Sequence, residues 1–268
     1  MASPDHEPRR FFDNREAGCG PVALSIVCAV RNGEKTLRRL IDSYAAQQQP
    51  QTELLMIDAV STDGTWTIIE AARGVVAAAL SEPDRGIYDA WNKALPLCSG
   101  RYVAFIGCDD HLAPGSLDTM CAAITDTTDP MQPAPQLIAG FNILTRGGMP
   151  VALLGEPFRR QRLHTRMMVA HVMAAHRLDW LRAAGGYDAG FRSSGDYELL
   201  LRERKGLEVR TLPSILAFME DGGTSRQRWR PHLENFHARR KAGYGLILSS
   251  WLLLRAAGFT VLRMMRLK

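Results

Sequence analysis

The sequence predicts an α/β domain built on a mostly parallel central sheet flanked by helices, with a helical C-terminal extension. Three observations carry that expectation. Residues 23–30, 54–57 and 102–106 are nearly unbroken apolar runs, the pattern of strands buried on both faces. Stretches with helical spacing lie between them, and alternation of this kind builds a parallel sheet with helices on both faces. Polar residues collect directly after the runs, where open α/β sheets bind their ligands.

Taken in order, residues 1–21 are polar and lack the apolar centre of a signal peptide, so a flexible arm is expected there. The first strand, 23–30, leads to Arg31-Asn32. Residues 36–48 follow helical spacing, with Leu37, Leu40, Ile41 and Tyr44 on one stripe. The second strand ends at Asp58. Ser61-Thr62-Asp63-Gly64 then forms a turn in which Ser61 or Asp63 is expected to cap a helix over 65–72. A short strand at 77–81, a helix at 87–95 and the third strong strand at 102–106 complete the first half. Beyond residue 126 the pattern weakens. Residues 126–136 carry three prolines and read as a loop, and 137–144 with 151–154 flank a hairpin signal at Arg146-Gly147-Gly148. Residues 179–184 and 196–204 look helical, and 208–212 extended.

The tail at 246–267 is strongly apolar but interrupted by Arg255 and Arg263. Its longest uncharged stretch, 242–254, is shorter than the ~20 residues a spanning helix needs. A membrane-surface helix with snorkelling arginines and a helix docked on the protein or on a second subunit both fit. The divisions expected are an arm (1–21), a domain (22–225, halves 22–112 and 113–225) and a basic, apolar helical segment (226–268).

The chain has 268 residues and a net charge of +5, with much of the excess after residue 158, at Arg226, Arg228, Arg230 and Arg239-Arg240-Lys241 among others. Such a distribution suits an anionic partner or is simply a solvated surface. Five scattered cysteines without a CxxC pair suggest neither a disulfide framework nor zinc, which fits a cytoplasmic setting.

Asp109-Asp110 follows a buried strand. Adjacent carboxylates repel, and burial raises their pKa values unless a cation is present. A hard ion such as Mg2+ or Mn2+ resolves the conflict. A lone pair of this kind is also an ordinary turn or cap. Asp58 ends a buried strand facing the expected cleft. In the segment Ser81 to Lys93, Arg85 could neutralise a phosphate and Asn92 could hydrogen-bond a ligand. His171 and His176 lack a third ligand at metal spacing and read as one buried and one exposed histidine.

Residues 24–112 resemble the family 2 glycosyltransferases, which have the GT-A fold. The matches run in order through Ser25-Ile26-Val27, Arg31-Asn32-Gly33, Ser43, Gln47, Glu53-Leu54, Ile57-Asp58, Ser61-Thr62-Asp63-Gly64-Thr65, Ser81 to Ala90, Asn92-Lys93, Ser99-Gly100 and Asp109-Asp110. The segment from Ser81 most resembles enzymes of bacterial extracellular and capsular polysaccharide synthesis. Downstream matches are His171, Gly185-Gly186-Tyr187-Asp188, Phe191, Asp196-Tyr197-Glu198, Leu201-Arg202 and Gly222-Gly223-Thr224-Ser225.

The resemblance implies an inverting transferase. Arg31, Asp58, Asp84, Arg85, Asn92 and Asp109 would hold a UDP- or GDP-linked sugar, and Asp110 a Mg2+ or Mn2+ ion. His171 and Tyr197 would line the acceptor side of the cleft. Asp196 would be the base that deprotonates an acceptor hydroxyl, although a helix N-cap is its other reading. Ala59 stands where many relatives have a second acid near the base, which leaves the nucleotide open. Gly107 stands where many have a further Asp, which puts the metal on Asp110. A glycan or lipid-linked acceptor is implied, at the inner face of the cell membrane; nucleic acid is not, and homo-oligomerisation stays open. A sugar nucleotidyltransferase or dinucleotide oxidoreductase would show a Gly-rich phosphate loop, which Arg31-Asn32-Gly33-Glu34 is not. A catalytically silent glycan- or nucleotide-sugar-binding protein of the same fold is the alternative.

Overall fold

The computed structural model describes residues 9–15, 20–126, 133–222 and 229–265. The first half alternates β1 (Arg10–Asp13), β2 (Leu24–Val30), α1 (Leu37–Ala45), β3 (Thr52–Asp58), α2 (Thr65–Ala71), β4 (Val76–Ser81), α3 (Ile87–Ala94) and β5 (Tyr102–Gly107). There follow β6 (His111–Leu112), α4 (Ser116–Thr125), the hairpin β7 (Leu137–Arg146) and β8 (Met149–Leu154), β9 (Ala175–Arg177), α5 (Leu178–Ala183), α6 (Gly195–Arg202) and β10 (Val209–Glu220). Helices α7 (Arg230–Lys241) and α8 (Leu246–Met265) close the chain.

The apolar runs behave as expected. Strands β4, β3, β2 and β5 pair in parallel, and every residue of β3 is buried. Alternate residues of β2 serve two cores. Leu24, Ile26 and Cys28 pack with Leu37, Leu40 and Tyr44 of α1 and with Met120 of α4, while Val27 packs with Trp91 of α3 and the Leu199–Leu201 run of α6. Helices therefore cover both faces.

The whole sheet is mixed rather than strictly parallel. Its order is β1-β4-β3-β2-β5-β9-β7-β10-β6, with β8 on β7, and among the named strands beyond the first half β7 and β10 pair in parallel while the other pairings are antiparallel. The reason is connection length: helical crossovers return a strand in the same direction, whereas β7 and β8 are joined by Gly147-Gly148, both with positive φ, which forces reversal.

One expectation is corrected and another is extended. Residues 10–13 are not a flexible arm: β1 pairs antiparallel with β4, Phe12 is buried against Trp66, and the Arg73 guanidinium lies 4.1 Å from the centre of its ring. The extended segment at 208–212 continues to Glu220. Its pairing with β7 is irregular around Pro213, which has no N–H to give to a ladder.

At the end of the chain α8 lies against α7, with a 2.8 Å contact between His232 Nε2 and Thr260 Oγ1. Ser249 and Leu252 are buried, while Ile247, Trp251, Leu254 and Phe259 are exposed. No helix among the described residues is long and apolar enough to cross a membrane.

Candidate active site

The carboxyl ends of the parallel strands form one rim, with Ser81 beside Asp58 and Asp58 beside Val30 in register. The loops that follow β2 and β3 are stitched together there. Asn32, held at φ 53°, accepts from Thr62 N at 2.9 Å and donates its own N–H to Ser61 Oγ at 2.8 Å. Gly33 N donates to Thr65 Oγ1, Glu34 N to Asp63, and Gly64 N to Glu34. Ser61 therefore joins the loops, while Asp63 joins them and also accepts from Thr65 N, the first residue of α2, at 3.0 Å; the cap position itself is Gly64.

Asp58 is almost fully buried and accepts from Ser61 N, Ser61 Oγ and, at 2.6 Å, Ser81 Oγ. With three donors it is the pin that shapes the rim, while Arg31 beside it is exposed.

Asp110 is placed differently. It is buried, among the described residues it accepts only from the backbone N–H groups of Gly107 (3.3 Å) and Glu220 (3.1 Å), and Asp109 stands beside it. Burial first, and the Asp109 charge second, push its carboxyl up to about 7. The two carboxylates converge on Gly107: a Cβ built there would lie 2.8 Å from Asp109 Oδ1 and 2.9 Å from Asp110 Oδ2. This is the conflict a cation relieves. Among the described residues no three His, Cys, Asp or Glu side chains form a ready cage. The donor set fits a hard divalent ion that completes its shell with substrate phosphates and water.

Asp196 lies inside the first turn of α6; the cap position is Ser194, so Asp196 is not the N-cap. It is half-buried, accepts from Tyr88 Oη at 3.2 Å, and is pushed up to about 6, chiefly by burial. Gly195 permits this approach, since a Cβ on it would sit 2.8–2.9 Å from the Tyr88 ring. Tyr88 in turn stacks on Tyr187. A carboxylate with raised proton affinity, presented at a helix start beside the loop after β4, suits general-base work near neutral pH.

Several sequence candidates are located elsewhere or in other roles. Tyr197 is a core residue: it is 1% exposed and donates to the Leu163 carbonyl at 2.7 Å, which corrects its assignment to the cleft. Neighbours on a helix point about 100° apart, so Asp196 and Tyr197 cannot face the same way. Asn92 is engaged at both ends by the Tyr187 backbone, as donor and as acceptor at 2.8 Å each. Arg85 is exposed and paired with Asp89, and Asp84 is half-buried, its carboxyl raised mainly by burial, next to the Gly86 N–H. His171 and His176 are not one buried and one exposed. Both join the Trp91–Phe105–Tyr187 aromatic cluster, with the Tyr187 hydroxyl 3.5 and 3.4 Å from their Nε2 atoms, and burial holds His171 down to about 3. The matched Gly223-Thr224-Ser225 lies outside the described residues.

Sequence reasoning missed Tyr88 as the partner of Asp196. It also missed Arg39, whose guanidinium donates to the Asp109 carbonyl, and Glu234, whose carboxylate receives the loop before α6. Tyr88 lies within a segment already singled out. Glu234 carried a signal of its own, as the only acidic residue among ten Lys and Arg after residue 225.

Residues 25–168 match the model of the family described as "Glycosyl transferase family 2". The chain belongs to that family. A PGL/p-HBAD biosynthesis glycosyltransferase of Mycobacterium tuberculosis is 26% identical over 208 residues, covering 75% of this chain and 78% of the relative. Among solved structures, S. aureus TarS in complex with UDP-GlcNAc superposes with a TM-score of 0.66 at 16% identity, over 88% of this chain and 72% of that one. The mannosyltransferase PcManGT from Pyrobaculum calidifontis, in complex with GDP-Man and Mn2+, gives 0.60 at 16% identity, over 92% and 73%. These structures show the GT-A fold, and the chain is a glycosyltransferase. Nothing in these relatives favours a silent binding protein.

Proposed function

We propose that this enzyme is an inverting transferase that moves a sugar from a UDP- or GDP-linked donor to a hydroxyl of a cell-surface glycan or lipid-linked acceptor. The observation that carries the reading is Asp196, a carboxylate raised to about 6 at the start of α6 and held by Tyr88. It accepts the acceptor hydroxyl proton as that oxygen attacks the anomeric carbon in a single displacement, and the nucleoside diphosphate leaves from the opposite side. The rim built by Asp58, with Arg31, Asp84 and Asp109 around it, orients the donor. Asp110 with Asp109 would hold Mg2+ or Mn2+, which when bound supplies positive charge to the departing diphosphate. The relatives' names support this reading: one is a PGL/p-HBAD biosynthesis glycosyltransferase, and an Escherichia coli relative is a UDP-Glc:α-D-GlcNAc-diphosphoundecaprenol β-1,3-glucosyltransferase.

The segment after residue 225 supports work at the cytoplasmic membrane face. Its charge is ten basic residues to one acid, and the exposed side of α8 presents Ile247, Trp251 and Leu254 with the Arg255 guanidinium over the Trp251 ring. Apolar residues interleaved with arginine suit an anionic lipid surface. The test is a thermal-shift screen of UDP- and GDP-sugars with and without Mn2+, followed by transfer assays on Asp196→Asn. A native-state ligand raises Tm by mass action. Undiminished transfer by Asp196→Asn would remove Asp196 as the base.

A further inference from the structure

Helix α7 reaches back into the catalytic half through a single carboxylate. Glu234 accepts from the backbone N–H groups of Arg192 (3.1 Å), Ser193 (2.8 Å) and Ser194 (2.9 Å) and from Ser193 Oγ (3.1 Å). These are consecutive backbone donors of the loop that leads into α6, ending at its cap residue Ser194, which makes no side-chain bond of its own. A carboxylate from another element gathers them just before the helix start, where the helix dipole favours negative charge. The same grip leaves the Arg192 side chain lying against Gly86, on the loop that follows β4, so one contact sets both the base and its approach to the donor side.

We propose that Glu234 is the positioning residue of the base: it holds the 192–194 loop so that Asp196 meets the acceptor hydroxyl. This rests on the reading of Asp196 as the base. Among the described residues, the groups facing Asp196 are Tyr88 from α3, Tyr187 from the loop after α5 and Glu234 from α7, with Arg230 4.0 Å from Glu234. Of these only Glu234 is an acid.

The experiment uses the full-length chain with Glu234→Gln, which keeps the shape and removes the charge, and Glu234→Asp, which keeps the charge on a shorter arm. The titration of Asp196 is read without any substrate, as the pH dependence of the Tm difference between each protein and its Asp196→Asn derivative. The midpoint in Glu234→Gln should fall, because a like charge has gone. With UDP-GlcNAc, UDP-glucose or GDP-mannose and Mn2+ as probes, kcat should fall by about 10- to 100-fold while donor KM stays nearly constant. Glu234→Asp should recover part of kcat, and it stands in for the Gln variant should that one not fold. A lower Tm with an unmoved Asp196 midpoint and wild-type kcat would make Glu234 a mere cap and overturn the proposal. If instead Asp196→Asn alone keeps full activity, the base assignment fails and the Glu234 result is judged on the titration.

Discussion

The two ends of the parallel strands treat buried carboxylates in opposite ways. At the amino ends Glu53, 4% exposed, is surrounded by donors: Ser25 Oγ at 2.6 Å, Ser99 N at 2.7 Å and Arg15 Nη1 at 3.3 Å. At the carboxyl ends Asp110 is equally buried but stands beside another acid, and Asp196 has one hydroxyl partner among side chains. A carboxylate saturated with donors locks strands together. One left short of them holds a raised proton affinity, which is a cost to folding and a resource for chemistry. Asp58 shows that position alone does not decide the matter: it lies on the reactive rim, yet three donors make it structural.

The largest way to break the contrast is Asp196→Asn. Transfer should fall by about 10²- to 10⁴-fold, the usual worth of a general base, with donor binding measured by thermal shift unchanged. At the other end, Glu53→Ala should leave kcat per folded molecule intact but cost about 3 kcal/mol of stability in denaturant unfolding, because Arg15, Ser25 and Ser99 lose their shared acceptor.

A third test uses pH. Asp110 is raised from 3.8 to about 7, so between those values the folded protein keeps a proton that the unfolded chain has released. Stability of the metal-free protein should therefore fall as pH rises through that window and level off above it. Asp196 contributes similarly only up to about 6. Asp110→Asn should flatten the Tm profile across the window from 3.8 to about 7, and should leave little slope above about 6, where Asp196 no longer contributes.

The smallest effect expected is that of Tyr88→Phe. Losing the hydroxyl that stabilises the Asp196 carboxylate should move the acid limb of kcat/KM upward by a few tenths of a pH unit.

The parallel unit was legible in the sequence because strands buried on both faces leave continuous apolar runs, and the rim was legible because carboxylates stand directly after those runs. Strands β6 and β9, two and three residues long, are too short to show a period, and β1 is an edge strand with one buried side chain. Roles that depend on distant partners were hidden. Asn92 and Tyr187 are 95 residues apart, and Glu234 meets Ser193 across 41. Tyr197 was misplaced because sequence neighbours on a helix are not spatial neighbours on a face.

Gly107 has an implication for how the site could change over time. The room its side chain would need is already taken by the two acids it precedes, with contacts under 3 Å. A side chain at this position would displace the carboxylates of Asp109 and Asp110, so any substitution of Gly107 re-aims the two acids on which the metal reading rests.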